Sequence, residues 1–299
     1  MSAKREMRVG IVGAGVMAEA MIAGLLADRA VAPDALVASH PRRDRRETLS
    51  QRYGIRAVGG NKEAARDAEI VVLAVKPQML GRVMRELGPK LGPDQVVLSI
   101  VAGATIATLV SGLRHDAVAR AMPNTPAQIR RGITVWTASP ACTARQRDLA
   151  RAVLRALGEE RQVEDEEFVA MATALSGTGP TYLFAVMEAL IDAGVHLGFP
   201  RELAHDLVVA TLIGSAEYAG RSELHPAQLR NLVTSPGGTS AAAIYELEKG
   251  RLRTVLSDAV WAAYHRTLEL GARLDADTQG DTGSAKARQN RQTSTQLVE

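Results

Sequence analysis

The segment from Ile70 to Val75 is the feature that most constrains the fold. It reads Ile-Val-Val-Leu-Ala-Val, a run of β-branched and aliphatic residues with no polar residue at alternate positions. A strand with one face in water alternates apolar and polar side chains, so this strand must be covered on both faces. Such strands occur in parallel sheets with helices on both sides. The segment therefore predicts an α/β domain with a doubly wound sheet.

Similar runs recur over the first 163 residues and are separated by longer segments of helical period. This alternation predicts a parallel sheet with crossover helices. The predicted strands are 8–12, 35–39, 70–75, 96–100 and 117–122, and the predicted helices are 17–28, 43–53 and 77–87.

The second half has a different character. From about Glu164 to residue 272, long segments of helical period are interrupted by Gly and Pro, which predicts an all-helical domain. Segments 182–197 and 203–218 are apolar over more than one stripe, which predicts burial against another subunit. The alternative is a large core within the chain. Residues 273–299 have almost nothing to bury, which predicts a disordered tail.

Composition narrows the function classes. The chain has 46% hydrophobic residues, enough for a full core, but only 2 Trp, 5 Tyr and 3 Phe with which to stack on bases. The 36 Lys and Arg against 33 Asp and Glu give a net charge of +3, too weak for a dedicated nucleic-acid or membrane-surface protein. No uncharged apolar stretch reaches the roughly 18 residues of a membrane span. A single cysteine, Cys142, and scattered histidines predict no metal site and a reducing, cytoplasmic setting.

A glycine turn follows the first predicted strand. From Val9 the chain reads Val-Gly-Ile-Val-Gly-Ala-Gly-Val-Met-Ala and enters the first predicted helix. In a dinucleotide-binding turn the first glycine, here Gly13, allows the tight turn, and the second, Gly15, lets the backbone approach a pyrophosphate. Ala18 takes the place of a third glycine, and amide hydrogens at the helix start bind the anion. The alternative is a glycine turn that serves packing alone.

The end of the second predicted strand indicates which nicotinamide dinucleotide binds. An enzyme that uses NAD carries an Asp or Glu there to bind the ribose diol. This chain instead reads Ser-His-Pro-Arg-Arg from Ser39. Because arginine pairs with phosphate in bidentate fashion, Ser39 and Arg42 predict a 2′-phosphate site and a preference for NADPH, with NADH as a second cofactor. Alternatively the arginines, Arg45 and Arg46 in particular, form only the solvated face of the next helix.

Two loops of small residues interrupt the second half. One spans 174–180 (Ala-Leu-Ser-Gly-Thr-Gly-Pro) and the other 233–240 (Val-Thr-Ser-Pro-Gly-Gly-Thr-Ser), and each leads into a predicted helix. In the second loop, exposed amide hydrogens and the hydroxyls of Thr239 and Ser240 form a donor set suited to a carboxylate. The alternative is an ordinary helix cap with Ser and Thr as capping residues.

Six motifs, in order along the chain, carry a family resemblance. They are Gly-Ala-Gly-Val-Met-Ala (13–18), Ala-Val-Lys-Pro-Gln (74–78), Ser-Ile-Val-Ala-Gly (99–103), Met-Pro-Asn-Thr-Pro (122–126), Leu-Ser-Gly-Thr-Gly-Pro (175–180) and Thr-Ser-Pro-Gly-Gly-Thr (234–239). From about Arg8 to Leu270 the chain resembles the pyrroline-5-carboxylate reductases, and the Ser-Pro-Gly-Gly-Thr segment is the most specific element. The resemblance implies that NAD(P)H reduces the C=N bond of 1-pyrroline-5-carboxylate to give L-proline, the last step of proline biosynthesis.

The resemblance also implies a fold, partners and site residues. The implied fold is an α/β Rossmann domain (1–163) followed by an all-α dimerisation domain (164–272), in a homodimer or homodecamer that acts on a small-molecule substrate. The residues implied to contact the cofactor, with the two turn glycines, are Val16, Met17, Ser39, Asn61, Val75, Lys76 and Ala102. The residues implied to contact the substrate are Glu166, Gly238, Thr239 and Ser240. Family members often have Thr at position 240, and Ser240 keeps the hydroxyl.

A cyclic imine with a carboxylate sets the chemistry that such a site must perform. The protein has to orient the ring against the nicotinamide, and the cofactor carries the hydride chemistry. Amide hydrogens from Gly238 to Ser240 are expected to hold the carboxylate, and the Ser240 hydroxyl to hydrogen-bond the ring nitrogen. Since a serine has no suitable pKa, the substrate is expected to arrive already protonated, with Ser240 as the orienting group.

Two other functions share parts of this pattern. A β-hydroxyacid dehydrogenase has a similar glycine turn and helical second half but relies on a lysine within the interdomain helix, and there is no lysine between Ala172 and Leu197. A non-catalytic NADPH-sensing protein could keep the Rossmann turn alone. The intact Ser-Pro-Gly-Gly-Thr segment argues against that second alternative.

Overall fold

The computed structural model describes the backbone of residues 7–295 and the side chains of residues 7–276. The chain divides into two compact units: one extends to Gly177 and resumes at Ala263, and the other comprises Thr178–Ala262. We call these the sheet unit and the helical unit. The first compact unit extends to Gly177 because the helix beyond the last strand buries Val169 and Ala170 within the sheet unit.

The described part of the sheet unit contains one eight-stranded sheet. Its strands are β1 (Val9–Val12), β2 (Leu36–Ser39), β3 (Arg56–Val58), β4 (Ile70–Leu73), β5 (Val96–Ser99), β6 (Val118–Met122), β7 (Gly132–Ala138) and β8 (Gly158–Gln162). The spatial order is β3-β2-β1-β4-β5-β6-β7-β8. Neighbouring strands are parallel except β6 and β7, which are antiparallel. The parallel, doubly wound arrangement predicted from the apolar runs is confirmed.

Helices connect the strands and continue beyond them. Those before the helical unit are α1 (Val16–Ala27), α2 (Arg43–Tyr53), α3 (Asn61–Ala65), α4 (Pro77–Leu87), α5 (Ile106–Leu113), α6 (Ala144–Arg155) and α7 (Glu167–Ala172). A π-helical turn, Thr173–Gly177, follows α7. Next come α8 (Gly179–His196), α9 (Arg201–Arg221), α10 (Pro226–Leu232), α11 (Thr239–Lys249) and α12 (Leu252–Thr295). Pro180 lies in the first turn of α8, where its missing amide hydrogen costs nothing.

The sheet is covered on both faces. Along β4, Ile70 and Val72 belong to one apolar cluster, and Val71 and Leu73 belong to a second cluster on the opposite face. All four side chains are fully buried. The absence of polar alternation in this run therefore reflects two cores of aliphatic side chains, one on each side of the sheet.

Three strands escape sequence-based prediction. β3 has only three residues, and β8 reads Gly-Glu-Glu-Arg-Gln with no apolar residue. β8 is an edge strand whose pairing with β7 makes it a strand, because edge strands tolerate charged side chains on both faces. β7 lies between β8 and β6 in the sheet, and the side chain of Trp136 on β7 is fully buried.

The helical unit has almost no core of its own. Among residues 178–262, only Pro180 and Ala204 are buried. Large apolar side chains of α8 and α9 are exposed instead, including Phe184 at 60% and Ile213 at 60%. The alternative of a large core within the chain is therefore wrong for this segment.

The helix α12 extends the sheet unit beyond Ala263. Leu274 is buried in the apolar cluster that contains Leu73, and Asp275 accepts a hydrogen bond from the Thr108 hydroxyl. The tail predicted over residues 273–299 falls mostly outside the residues whose side chains the structure describes, so its disorder stays a prediction. In the described part of the chain, no helix combines the length and apolar character needed to span a bilayer.

Candidate active site

The carboxyl ends of four neighbouring strands lie level at one edge of the sheet. Val12 of β1 pairs with Ser39 of β2 and with Leu73 of β4, and Leu73 pairs with Ser99 of β5. The loops that leave these strands, and the first turn of the helix after β1, carry most of the predicted cofactor residues: Gly13, Gly15, Val16, Met17, Arg42, Val75, Lys76 and Ala102. The chain crosses to opposite sides of the sheet between β1 and β4, which is where ligands bind in open α/β sheets.

The turn after β1 depends on its first glycine. Gly13 has a φ of +91°, which an L side chain rarely adopts, and a Cβ placed there would lie 2.6 Å from Val75 Cγ1. The amides of Gly13 and Ala14 donate to the Ser39 carbonyl at 3.2 and 3.0 Å. By contrast, a Cβ on Gly15 would meet no atom within 4 Å. The second glycine thus faces open space, as a turn that receives a pyrophosphate requires.

The start of α1 is a site for an anion. Its N-cap is Gly15, and no side chain caps the helix. The first i→i−4 hydrogen bond of the helix runs from Glu19 N to the Gly15 carbonyl, so the amides of Val16 and Met17 precede the helical ladder. Such amides, together with the helix dipole, favour a phosphate group. The residues present therefore fit the dinucleotide pyrophosphate.

Ser39 and Asn61 form a hydrogen-bonded chain beside this turn. Ser39 is fully buried, and its hydroxyl donates to Asn61 Oδ1 at 2.8 Å. The amide nitrogen of Asn61 donates to Glu86 of α4 at 2.9 Å. The buried Ser39 hydroxyl is therefore linked to the part-buried Asn61, and both the oxygen and the nitrogen of the Asn61 side-chain amide are hydrogen-bonded.

The arginines that follow β2 are all engaged with protein atoms. Arg42 pairs with Asp44, and this hydrogen bond raises the pKa of Arg42 and lowers that of Asp44. Arg46 donates to the carbonyls of His40 and Pro41 at 2.9 and 2.8 Å. The interpretation of Arg46 as part of a solvated helix face is therefore wrong, because it fixes the loop between β2 and α2.

His40 lies in the same loop. Burial lowers its pKa, and the neighbouring guanidinium of Arg42 acts in the same direction. The Arg42 amide donates to His40 Nδ1 at 3.2 Å, so the ring accepts at that nitrogen. His40 is thus neutral at pH 7, and positive charge in this loop comes from arginine.

The loops after β4 and β5 complete this edge of the sheet. Lys76 is the exposed N-cap of α4, and the preceding Val75 lies against the glycine turn. Ala102 is half-buried in the loop before α5. The next residue, Gly103, has a φ of +79° and lies so close to Gly271 of α12 that a Cβ would approach its backbone nitrogen to 2.9 Å.

The helical unit contains a second helix start without a side-chain cap. α11 has Gly238 as its N-cap, preceded by Gly237 at a φ of +72°. Gly238 N donates to the Ser235 carbonyl at 3.1 Å, and Ala242 N donates to the Gly238 carbonyl at 3.2 Å. The amides of Thr239 and Ser240 therefore precede the helical ladder and are suited to a carboxylate.

Glu166 belongs to the sheet unit, whereas Gly238, Thr239 and Ser240 belong to the helical unit. Oε1 of Glu166 accepts a hydrogen bond from Arg120 Nη1 at 2.7 Å and another from the backbone amide of Ile106 at 2.8 Å. The Arg120 side chain is only 5% exposed. Glu166 thus neutralises a buried guanidinium and holds the start of α5.

Sequence reasoning missed two charged groups at this edge, the buried Arg120 and the pair Glu19–Arg45. Glu19 lies in the otherwise apolar α1, and Arg120 lies in the otherwise apolar β6. Because a buried charge needs a partner, an ionisable residue inside an apolar segment was the available signal. The partners themselves are distant in sequence and carry no local signal.

Comparison with known families gives two matches along the chain. Residues 166–270 match the family model for pyrroline-5-carboxylate reductase dimerisation, and residues 8–103 match that for coenzyme F420-dependent NADP oxidoreductases. The pyrroline-5-carboxylate reductase of Synechocystis sp. is 41% identical over 265 residues, which cover 88% of this chain and 98% of that protein. The chain belongs to the pyrroline-5-carboxylate reductase family. The enzyme of that name from Pseudomonas aeruginosa is 40% identical over 89% of this chain and 98% of its own length.

Solved structures of pyrroline-5-carboxylate reductases share this fold. The structure from Coxiella burnetii superimposes with a TM-score of 0.82 at 35% identity and covers 89% of this chain and 99% of its own. That from Plasmodium falciparum, described with NADP bound, gives a TM-score of 0.82 at 28% identity over 90% of this chain and 100% of its own. The predicted order of a Rossmann α/β domain and an all-α dimerisation domain is confirmed. The match of residues 166–270 to a dimerisation model supports oligomerisation, and the relatives' names indicate an oxidoreductase.

Proposed function

We propose that this protein reduces the C=N bond of 1-pyrroline-5-carboxylate to L-proline, with NADPH as the preferred reductant, as the last step of proline biosynthesis. The observation that carries the proposal is the start of α11, where a glycine N-cap leaves the amides of Thr239 and Ser240 for a ligand. A carboxylate fits such amides. The names of the Synechocystis and Pseudomonas relatives support the same substrate.

The cofactor residues bind and orient. The amides of Val16 and Met17 hold the pyrophosphate, and Gly15 lets it approach the backbone. Val75, Lys76 and Ala102 line the neighbouring loops of the same sheet edge. A bound nicotinamide supplies the hydride to the imine carbon.

The substrate residues fix the imine. The amides at Gly238 to Ser240 hold the carboxylate. The oxygen of the Ser240 hydroxyl accepts a hydrogen bond from the N–H of the protonated ring nitrogen. The substrate arrives as the iminium because a serine hydroxyl cannot serve as an acid near neutral pH. The nitrogen therefore keeps its proton when the imine carbon is reduced, so the amine of L-proline forms without an acid from the protein and then takes up a proton from water.

The preference for NADPH rests on the loop after β2. This loop has no carboxylate to bind a ribose diol, and it offers Arg42 beside a neutral His40. The NADP in the Plasmodium structure supports the same choice.

Arg42→Ala is expected to weaken NADP⁺ binding about tenfold and to leave NAD⁺ binding unchanged, since only NADP⁺ carries the 2′-phosphate. Isothermal titration calorimetry measures both, with the exposed Arg43→Ala as control, and equal loss for both cofactors would contradict the assignment.

One assay tests the activity against its alternatives. Decay of NADPH absorbance with 1-pyrroline-5-carboxylate, at a higher kcat/KM than with NADH, is the expected result. Decay only with a hydroxy acid or a keto acid would identify a β-hydroxyacid dehydrogenase instead. Tight NADPH binding without decay for any of these substrates would identify a non-catalytic sensor.

The proposal includes assembly and location. The exposed apolar side chains of α8 and α9 support a homodimer, or a homodecamer built from such dimers. The single buried thiol, Cys142, supports a reducing cytoplasmic setting. Light scattering after size-exclusion chromatography measures the oligomer, and a monomer at micromolar concentration would contradict it.

A further inference from the structure

Arg45 links α2 to the glycine turn. Its Nε donates to the Ala14 carbonyl at 3.1 Å, and its Nη2 lies 2.5 Å from Glu19 Oε2 on α1. The side chains of Arg45 and Glu19 are only 21% and 19% exposed. This guanidinium therefore holds two parts of the cofactor-binding segment at once, each through a different nitrogen of its planar fork.

The contact completes the hydrogen bonding of the turn. The amides of Gly13 and Ala14 are held by the Ser39 carbonyl, and the amide of Gly15 donates to the Gly13 carbonyl at 2.8 Å. Arg45 then engages the Ala14 carbonyl from the side of α2. Protein atoms from β2 and α2 thus hold the turn, and the amides at the start of α1 remain available for the ligand.

Glu19 keeps Arg45 in place. It also accepts from Arg52 at 3.0 Å and from the Tyr53 hydroxyl at 3.0 Å. Burial acts to raise the pKa of Glu19, but the hydrogen bonds from Arg45 and Tyr53 outweigh it and lower the pKa. Glu19 is consequently ionised at neutral pH and orients the guanidinium toward the turn.

We propose that Arg45 is a positioning residue that joins the pyrophosphate turn and the first helix, α1, to α2. The inference rests on the proposed dinucleotide site. Because Arg45 holds main-chain atoms of a turn that NAD⁺ and NADP⁺ use alike, its loss weakens both cofactors by the same factor. This distinguishes Arg45 from Arg42, whose loss affects NADP⁺ alone.

Calorimetric titration of the full-length protein with NADP⁺ and with NAD⁺, without substrate, tests the proposal. Arg45→Ala is expected to raise both dissociation constants about tenfold, the effect of losing a charged hydrogen bond. Arg52→Ala is the matched control, because Arg52 is on the same helix and pairs with Glu19 but is not a partner of the Ala14 carbonyl. It is expected to change neither constant by more than about twofold, within the range of a surface ion pair.

Two further variants separate positioning from folding. Arg45→Lys keeps a positive charge for Glu19 and so protects the fold, but it lacks the two separate nitrogens with which Arg45 reaches Ala14 and Glu19, and at least a threefold loss is expected for both cofactors. In Arg45→Ala the carboxylate of Glu19 loses one of its two arginines and keeps only Arg52 and Tyr53 as partners, and the double variant Arg45→Ala with Glu19→Gln removes that carboxylate charge. Binding is expected to stay weak in the double variant, because the contact with Ala14 is still absent. Thermal denaturation of each variant shows whether it is folded.

Five results would overturn the inference. A loss confined to NADP⁺ would make Arg45 a direct phosphate contact, and equal effects of Arg45→Ala and Arg52→Ala would leave no role for the Ala14 bond. Wild-type affinity restored in the double variant would trace the loss to the charge of Glu19 and not to the contact with Ala14. A wild-type protein that binds neither dinucleotide would overturn the proposed function itself, whereas normal wild-type binding with an unaffected Arg45→Ala variant would overturn only this inference.

Discussion

The sheet unit and the helical unit differ in the burial of their apolar side chains. The sheet unit buries complete strands such as β4 between two apolar clusters. The helical unit leaves Phe184, Ile213 and Trp261 about 60% exposed in the single chain. Exposed apolar surface on this scale marks an association surface. The sheet unit therefore carries its own core, whereas the exposed apolar surface of the helical unit and its match to a dimerisation family support association.

The largest expected effect tests this contrast directly. Leu73→Ala, in the sheet core, is expected to lower the free energy of unfolding by about 2–5 kcal/mol, because the truncation leaves a cavity. Phe184→Ala removes apolar surface that is exposed in the single chain, so its cost should arise through association. Calorimetry at several protein concentrations measures both variants. The shift in Tm for Leu73→Ala should not depend on concentration, and that for Phe184→Ala should.

A concentration-independent loss for Phe184→Ala, equal to that for Leu73→Ala, would contradict the comparison. It would mean that Phe184 is buried within its own chain.

A smaller effect separates the chemistry of the two units. Ser240→Ala is expected to lower kcat about 10- to 100-fold, because the hydroxyl that orients the ring nitrogen is lost. The affinity for NADP⁺ should stay within about twofold of wild type, since the cofactor residues belong to the sheet unit. Steady-state kinetics and calorimetry measure the two quantities, with the exposed Ser215→Ala on α9 as the control. Unchanged kinetics would remove Ser240 from the mechanism.

The smallest effect concerns acid stability of the sheet unit. The folded protein lowers the pKa of Glu19 below its ordinary value of 4.5, so folding favours the ionised form. This contribution is fully present above pH 4.5 and is lost as the pH falls through the lowered folded-state pKa. Glu19→Gln should therefore lower stability at pH 7 and lose less of it on acidification than wild type. Urea denaturation between pH 7 and pH 3 checks this, and parallel pH profiles for the two proteins would rule out the ionised Glu19 as a source of stability.

Much of the fold can be predicted from local sequence. Helices α2 and α4 begin and end at the predicted residues, because polar or proline starts and a clear helical period define them. Strand β8 cannot be predicted in this way, since its charged sequence becomes a strand only by pairing with β7. The extension of the sheet unit to Gly177 also cannot be predicted from local sequence, because it depends on where α7 packs.

The candidate site divides in the same manner. The turn at Gly13 and Gly15 and the start of α11 at Gly238 follow from glycine spacing, since short-range backbone sterics leave few other conformations. The partners of Glu19 and Glu166 do not follow from any spacing. Arg45 lies 26 positions from Glu19, and Arg120 lies 46 positions from Glu166.

The sequence by itself determined the two-sided core and the glycine turns, because solvent exclusion and backbone sterics act over neighbouring residues. Only the tertiary structure decided which arginine meets which carboxylate. A long charged side chain can pair with any opposite charge within its reach, and that reach is set by how helices pack on the sheet.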